Sequence, residues 1–245
     1  MKGMRIMNDN LSNLLQVKNL TDTSADLYFY GDIVSNWLGA WDEADQYPSA
    51  VKDFLDEVGD RDLNIYINSA GGAVFAGMAI YNMLKRHRGF KTVYVDGLAA
   101  SIASVIALAG DRIIIPSNAY FMIHKPWTIA IGNADELLGV VEALEKIEEG
   151  ILNVYAEHLV EGVDIEEIRQ MVAKETWMTG DEAAKYFRVE VGNPIEAVAY
   201  TGDMLNKFQN VPQQLLKQQK NDYNDQDISI YRAKLKLLQL KGGQA

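Results

Sequence analysis

Two residues of this 245-residue chain invite the chemistry of acyl transfer. One is a serine where a strand-like run meets a helix-like one, Ser101 in GLAAS (97–101); the other is His124, at the end of the run YFMI. A hydroxyl nucleophile needs a base for its proton, a group that orients the base, and N–H donors for the developing oxyanion. Ser101 opens the uncharged run IASVIALAG, and the first backbone N–H groups of a helix, here including that of Ile102, have no intrahelical acceptor. Those donors could hold an oxyanion. A serine at a helix start is also a favoured N-cap, so position alone leaves both readings open.

The chain has three histidines, which narrows the choice of base. His87, in KRHRG, falls at an expected helix C-terminus, where a cation complements the dipole. His158 follows the apolar seam of a long helix and reads as an interface or surface residue. His124 precedes Lys125-Pro126 at a strand end, where loops commonly carry functional groups. A third feature is SAGG (69–72), between a strand and a helix. Paired glycines allow close backbone approach, so the N–H of Gly72 could face a ligand, and they equally suit a tight turn. The spacing fits neither a dinucleotide fingerprint nor a P-loop, and no HExxH or paired-carboxylate motif accompanies the scattered histidines.

The elements that must position these groups alternate between strand and helix from about residue 26 to 196, which predicts an α/β fold with strands layered against crossover helices. LNIYIN (63–68) and KTVYVDG (91–97) read as strands, and AVFAGMAIYNMLKR (73–86) as a helix with Val74, Met78, Tyr81 and Leu84 on one face. A long helix is predicted over 134–159 from Leu137, Val140, Leu144, Ile147, Ile151 and Val154, packing on its own domain or on another subunit. Three regions follow: an extension over 1–25, a domain over 26–198, and a polar linker with a terminal amphipathic helix over 199–245.

Composition narrows the function. With 48% hydrophobic residues the chain can fill a sizeable core, and a net charge of −11 argues against a nucleic-acid surface. Without cysteine there is no disulfide framework, thiol nucleophile or thiolate zinc site. No signal-peptide pattern opens the sequence, and the longest uncharged run, Gly97 to Gly110, is too short to span a bilayer. The expectation is a cytoplasmic protein with no membrane association.

In order, these segments resemble the ClpP family of serine peptidases over roughly residues 26–196. INSAGGAVFAGMAIYNML is similar to that family's INSPGG segment, GLAAS to its GQAAS nucleophile segment, and FMIHKP to its MIHQP. ETWMTGDEAAKYFRV is similar to the segment carrying the family's catalytic aspartate. The resemblance implies Ser101 as nucleophile, His124 as general base and then acid, and the N–H groups of Gly72 and Ile102 as the oxyanion hole, with no cofactor. It places the family's aspartate on Glu175, whose extra methylene requires a different approach to the imidazole; Asp181 and Asp164 are local substitutes. Ala70 replaces the usual proline, and WTIAIGN (127–133) a glycine-rich loop.

The resemblance further implies a layered β-α-β superhelix related to the crotonase fold, with a protruding helix that interlocks heptameric rings around a chamber. The substrate would be a polypeptide. The ETW-type segment and extended tail resemble phage or prophage head-maturation proteases, which makes capsid or scaffold proteins expected partners. Alternatives are a housekeeping Clp proteolytic subunit served by an ATP-driven AAA+ unfoldase, a catalytically idle ring-forming assembly protein, and a crotonase-like acyl-CoA binder.

Overall fold

A computed structural model describes residues 21–36, 45–195, 205, 207–213 and 215. The predicted terminal amphipathic helix lies outside these residues. In chain order the elements are β1 (Ser24–Phe29), α1 (Pro48–Val58), β2 (Asp62–Ser69), α2 (Val74–Arg86), β3 (Lys91–Ala100), α3 (Ile102–Ala107), β4 (Arg112–Pro116), β5 (Tyr120–Ile123), α4 (Ala134–Glu157), α5 (Ile165–Ala173), β6 (Thr176–Thr179), α6 (Gly180–Ala183) and β7 (Glu190–Gly192). This is the predicted α/β alternation.

Strands β1, β2, β3, β4 and β7 form a parallel array in that order. Their alternation sorts the side chains. Leu27, Phe29, Leu63, Ile65, Ile67, Val93, Val95, Ile113 and Ile115 are buried in the main core with α1, α2 and α3, each contributing roughly 1.5–3 kcal/mol by burial. On the opposite face the register aligns Tyr28, Tyr66 and Tyr94, whose rings stack at 4.7 and 5.2 Å.

The geometry of the candidate site originates in β3. Its first half pairs with β4 through Thr92–Tyr94, and its second half pairs with β5 through Leu98–Ala100. Between them the register against β2 slips: Ile67 faces Val95, whereas Ser69 faces Ala99. Two extra β3 residues are accommodated there, a bulge that bends a strand and redirects its end. Strand β5 then pairs antiparallel with β6, Ile123 opposite Thr176.

Helix α3 is buried along its whole length, as its uncharged sequence predicts. It lies so close to α2 that a Cβ on Gly77 would fall 2.2 Å from Ile102 Cγ1. The long helix α4 opens with a capping box between Asn133 and Glu136. Its predicted seam is buried within the chain at one end only: Ile151 and Val154 are buried, Val140, Leu144 and Ile147 are half-buried and Leu137 is exposed, as are Leu138 and Val141 beside it. Among the described residues no helix is long and apolar enough to cross a membrane.

Candidate active site

Ser101 stands between β3 and α3 with φ 54° and ψ −128°. A non-glycine residue at positive φ is strained and persists only where its surroundings fix it. They do so from both sides: Ser101 N donates to the Met122 carbonyl at 3.0 Å, and its own carbonyl accepts from Ser104 N at 3.0 Å and Ser104 Oγ at 2.6 Å. The capping reading is thereby decided. Ser101 occupies the N-cap position, yet its side chain makes no capping bond and its Oγ lies 2.7 Å from His124 Nε2.

His124 follows β5 directly. The ladder Ala100–Met122 places β5 beside the end of β3, so the histidine emerges next to the serine although 23 positions separate them. The imidazole is half-buried, with the Phe208 ring edge-on at a centroid distance of 5.1 Å. Burial holds its pKa below the ordinary histidine value; the negative charge of Glu175 opposes this with the smaller effect. At neutral pH the ring is therefore uncharged and able to accept a proton.

Glu175 precedes β6, so the Ile123–Thr176 pair brings it to the same end of the sheet as His124. It too has positive φ, 52°. Its carboxylate is engaged elsewhere, however. Oε1 accepts from Gln209 N (2.8 Å), Asn210 N (2.7 Å) and Trp177 Nε1 (3.3 Å), and Oε2 accepts from Gln209 N (3.0 Å). Among the described residues no hydrogen bond joins it to His124, and the two line a common cavity of about 390 Å3. The substitute acids serve other ends: Asp164 caps α5 by accepting from Glu166 N, and Asp181 is exposed in the first turn of α6.

The SAGG turn packs directly on the serine. A Cβ at Gly71 (φ 93°) would fall 2.7 Å from Ala100 O and 2.9 Å from Ser101 Cβ, and one at Gly72 (φ 144°) 2.1 Å from Ile33 O. Only glycine fits this approach. Ser69 Oγ fastens the turn, donating to Gly31 O and accepting from Gly71 N. Neither the Gly72 nor the Ile102 N–H is engaged by another backbone group among the described residues. Ile102 directly follows Ser101, and Gly72 follows Gly71, whose Cα packs against the serine.

The remaining histidines are removed from this pair. His87 caps α2 and contacts Arg61 O at 2.7 Å through Nε2. His158, expected at a surface or interface, is buried at the end of α4; burial first, then the charges of Lys85 and Arg188, lower its pKa to about 4.

Sequence reasoning missed two sets of contacts. Ser104, whose Oγ also lies 2.8 Å from Tyr155 Oη, reads in sequence as one more small residue of a buried helix. Phe208, Gln209 and Asn210 sit in a stretch rich in Gln and Asn, with nothing local to link them to a histidine 84 positions earlier. Buried Leu205, Phe208 and Leu215 were the available signal, since apolar residues in a polar stretch need a surface to cover.

The family model of Clp protease matches residues 53–189. Proteins named ATP-dependent Clp protease proteolytic subunit are similar to the chain. That of Ligilactobacillus salivarius is 36% identical over 137 residues, covering 54% of this chain and 68% of the relative. That of Bacteroides fragilis is 31% identical over 141 residues, 56% of this chain and 67% of the relative. That of Bacteroides thetaiotaomicron is 30% identical over 141 residues, covering 63% of its own length. The matched region runs from α1 to the start of β7 and includes the strained serine, its histidine and the glycine turn against them. Since more than half of the sequence fits that description, the chain belongs to the Clp protease family.

Proposed function

We propose that the chain is a serine endopeptidase in which Ser101 is the nucleophile and His124 the base. The observation that carries this reading is the 2.7 Å contact between Ser101 Oγ and His124 Nε2, made by a serine whose backbone strain turns its hydroxyl away from helix capping. The neutral imidazole takes the hydroxyl proton as Oγ attacks a peptide carbonyl, and the negative oxygen of the tetrahedral intermediate is stabilised by the Gly72 and Ile102 N–H groups. The imidazolium gives its proton to the leaving amine, and His124 then activates water to hydrolyse the acyl-enzyme. Glu175 is the acid of the site, its charge favouring the imidazolium.

Replacement of Ser101 by alanine removes turnover of an unfolded polypeptide by several orders of magnitude and abolishes acylation by a fluorophosphonate. Survival of either activity refutes the assignment. The rival of a catalytically idle ring protein predicts assembled rings that neither label nor cleave.

The exposed apolar half of α4 supports a homo-oligomer, the other copy covering Leu137, Leu138 and Val141. Within the family we favour capsid or scaffold maturation, on the ETW segment and the tail that packs on the site. The names of the similar proteins favour instead a proteolytic subunit working with an ATP-driven partner. Cleavage of folded scaffold protein without nucleotide supports the first; strict dependence on an unfoldase and ATP supports the second.

A further inference from the structure

We propose that the segment Phe208–Asn210 is an internal latch that holds Glu175 away from His124, and that the serine–histidine pair reaches full reactivity when this segment lifts. The inference rests on the peptidase reading and deepens it.

The latch engages the acid through both main chain and side chain. The Gln209 and Asn210 N–H groups bind the Glu175 carboxylate at 2.7–3.0 Å. Asn210 Nδ2 donates to Lys174 O at 3.0 Å and to Glu175 O at 3.4 Å, fixing the backbone that carries the acid. With Trp177 Nε1 added, three donors hold the carboxylate, all reaching Oε1 and one shared with Oε2, and none of them is the imidazole. The segment also has an anchor. Phe208 is buried with Leu205 and Leu215 against Ala70, Leu98, Ala100 and Met122, and its ring meets both His124 and Trp177 edge-on.

Two consequences act in the same direction. Formation of imidazolium during attack lacks a directly bonded carboxylate, and the Phe208 ring removes water that would otherwise solvate the positive charge. Lifting the segment relieves both, since the Ile123–Thr176 pair keeps Glu175 at the same sheet end as His124. An extended polypeptide with apolar side chains is the competitor suited to the apolar recess that Phe208 fills.

The test compares the full chain with Asn210→Pro, which removes one N–H donor and the clamping amide at an exposed position, and with Phe208→Ala. Fluorophosphonate acylation of Ser101 and the NMR titration midpoint of His124 are measured in each. The latch predicts acylation faster by about tenfold or more and a His124 midpoint displaced upward in both variants. Unchanged or lower values of both overturn it, because they make the segment a passive cover or a support for Glu175. If no variant is acylated, the peptidase reading fails, and the His124 midpoint still decides the latch: upward supports it, unchanged or downward overturns it.

Discussion

The Tyr155 hydroxyl lies 2.8 Å from Ser104 Oγ, and Ser104 Oγ donates to the Ser101 carbonyl at 2.6 Å. Having only one proton, Ser104 must accept from Tyr155, so a phenol in the core helps to set the backbone of the strained serine. Burial raises the Tyr155 pKa well above the ordinary phenol value, which keeps that donor protonated. We predict that Ser104→Ala, which frees the Ser101 carbonyl and strands the buried phenol, costs about 1–3 kcal/mol of stability. It slows Ser101 acylation roughly ten- to a hundredfold. Denaturant unfolding and fluorophosphonate labelling measure the two effects separately.

The glycine turn admits no side chain. Gly72→Ala would place a Cβ 2.1 Å from the Ile33 carbonyl at a φ that alanine rarely adopts. The expected outcome is a loss of stability on the order of 1–3 kcal/mol and loss of acylation, because the Gly72 N–H is displaced. Stable protein with unchanged acylation would show that this donor is dispensable.

Acylation should rise with pH through the His124 midpoint, which lies below the ordinary value of about 6.5, and be flat above neutrality. A midpoint above that value in the intact chain would contradict the dominance of burial over the Glu175 charge.

Stability responds to pH through His158. Its pKa is about 4 in the folded chain, whereas an unfolded histidine titrates at about 6.5. Between those values the unfolded chain binds a proton that the folded chain refuses, so this contribution is complete above the upper value and lost as pH falls through the window. Urea unfolding at pH 7.5 and 4.5 should differ by on the order of 2–3 kcal/mol from this residue, and His158→Leu should remove that share of the difference.

The exposed face of α4 predicts assembly. Replacing Leu138 and Val141 with glutamate should lower the mass of the native particle while leaving the protomer's far-UV circular dichroism unchanged. A particle of unaltered mass would separate α4 from the subunit contact.

Much of this architecture is legible locally. Alternation in LNIYIN and the uncharged run after Ser101 predict strand and helix correctly, because burial on one or both faces leaves a periodic record in sequence. The nearness of Ser101 and His124 follows from ladder register between β3 and β5, which no local pattern encodes, and it enters the sequence reading through resemblance alone. Glu175 shows the limit most clearly. The Ile123–Thr176 pairing brings it to the same sheet end as His124, yet its carboxylate is held by backbone N–H groups of residues 209 and 210, and a main-chain donor leaves no trace in residue identity.

Strand β3 is hydrogen-bonded on one edge to β4 and then to β5 while remaining on β2, and Ser101 is its next residue. Ser101 is thus tethered to the buried residues Leu98, Ala99 and Ala100. Its amide, bonded to the Met122 carbonyl, should exchange with deuterium only through opening of the central sheet, at a rate approaching that of complete unfolding, even though its hydroxyl meets a half-buried imidazole.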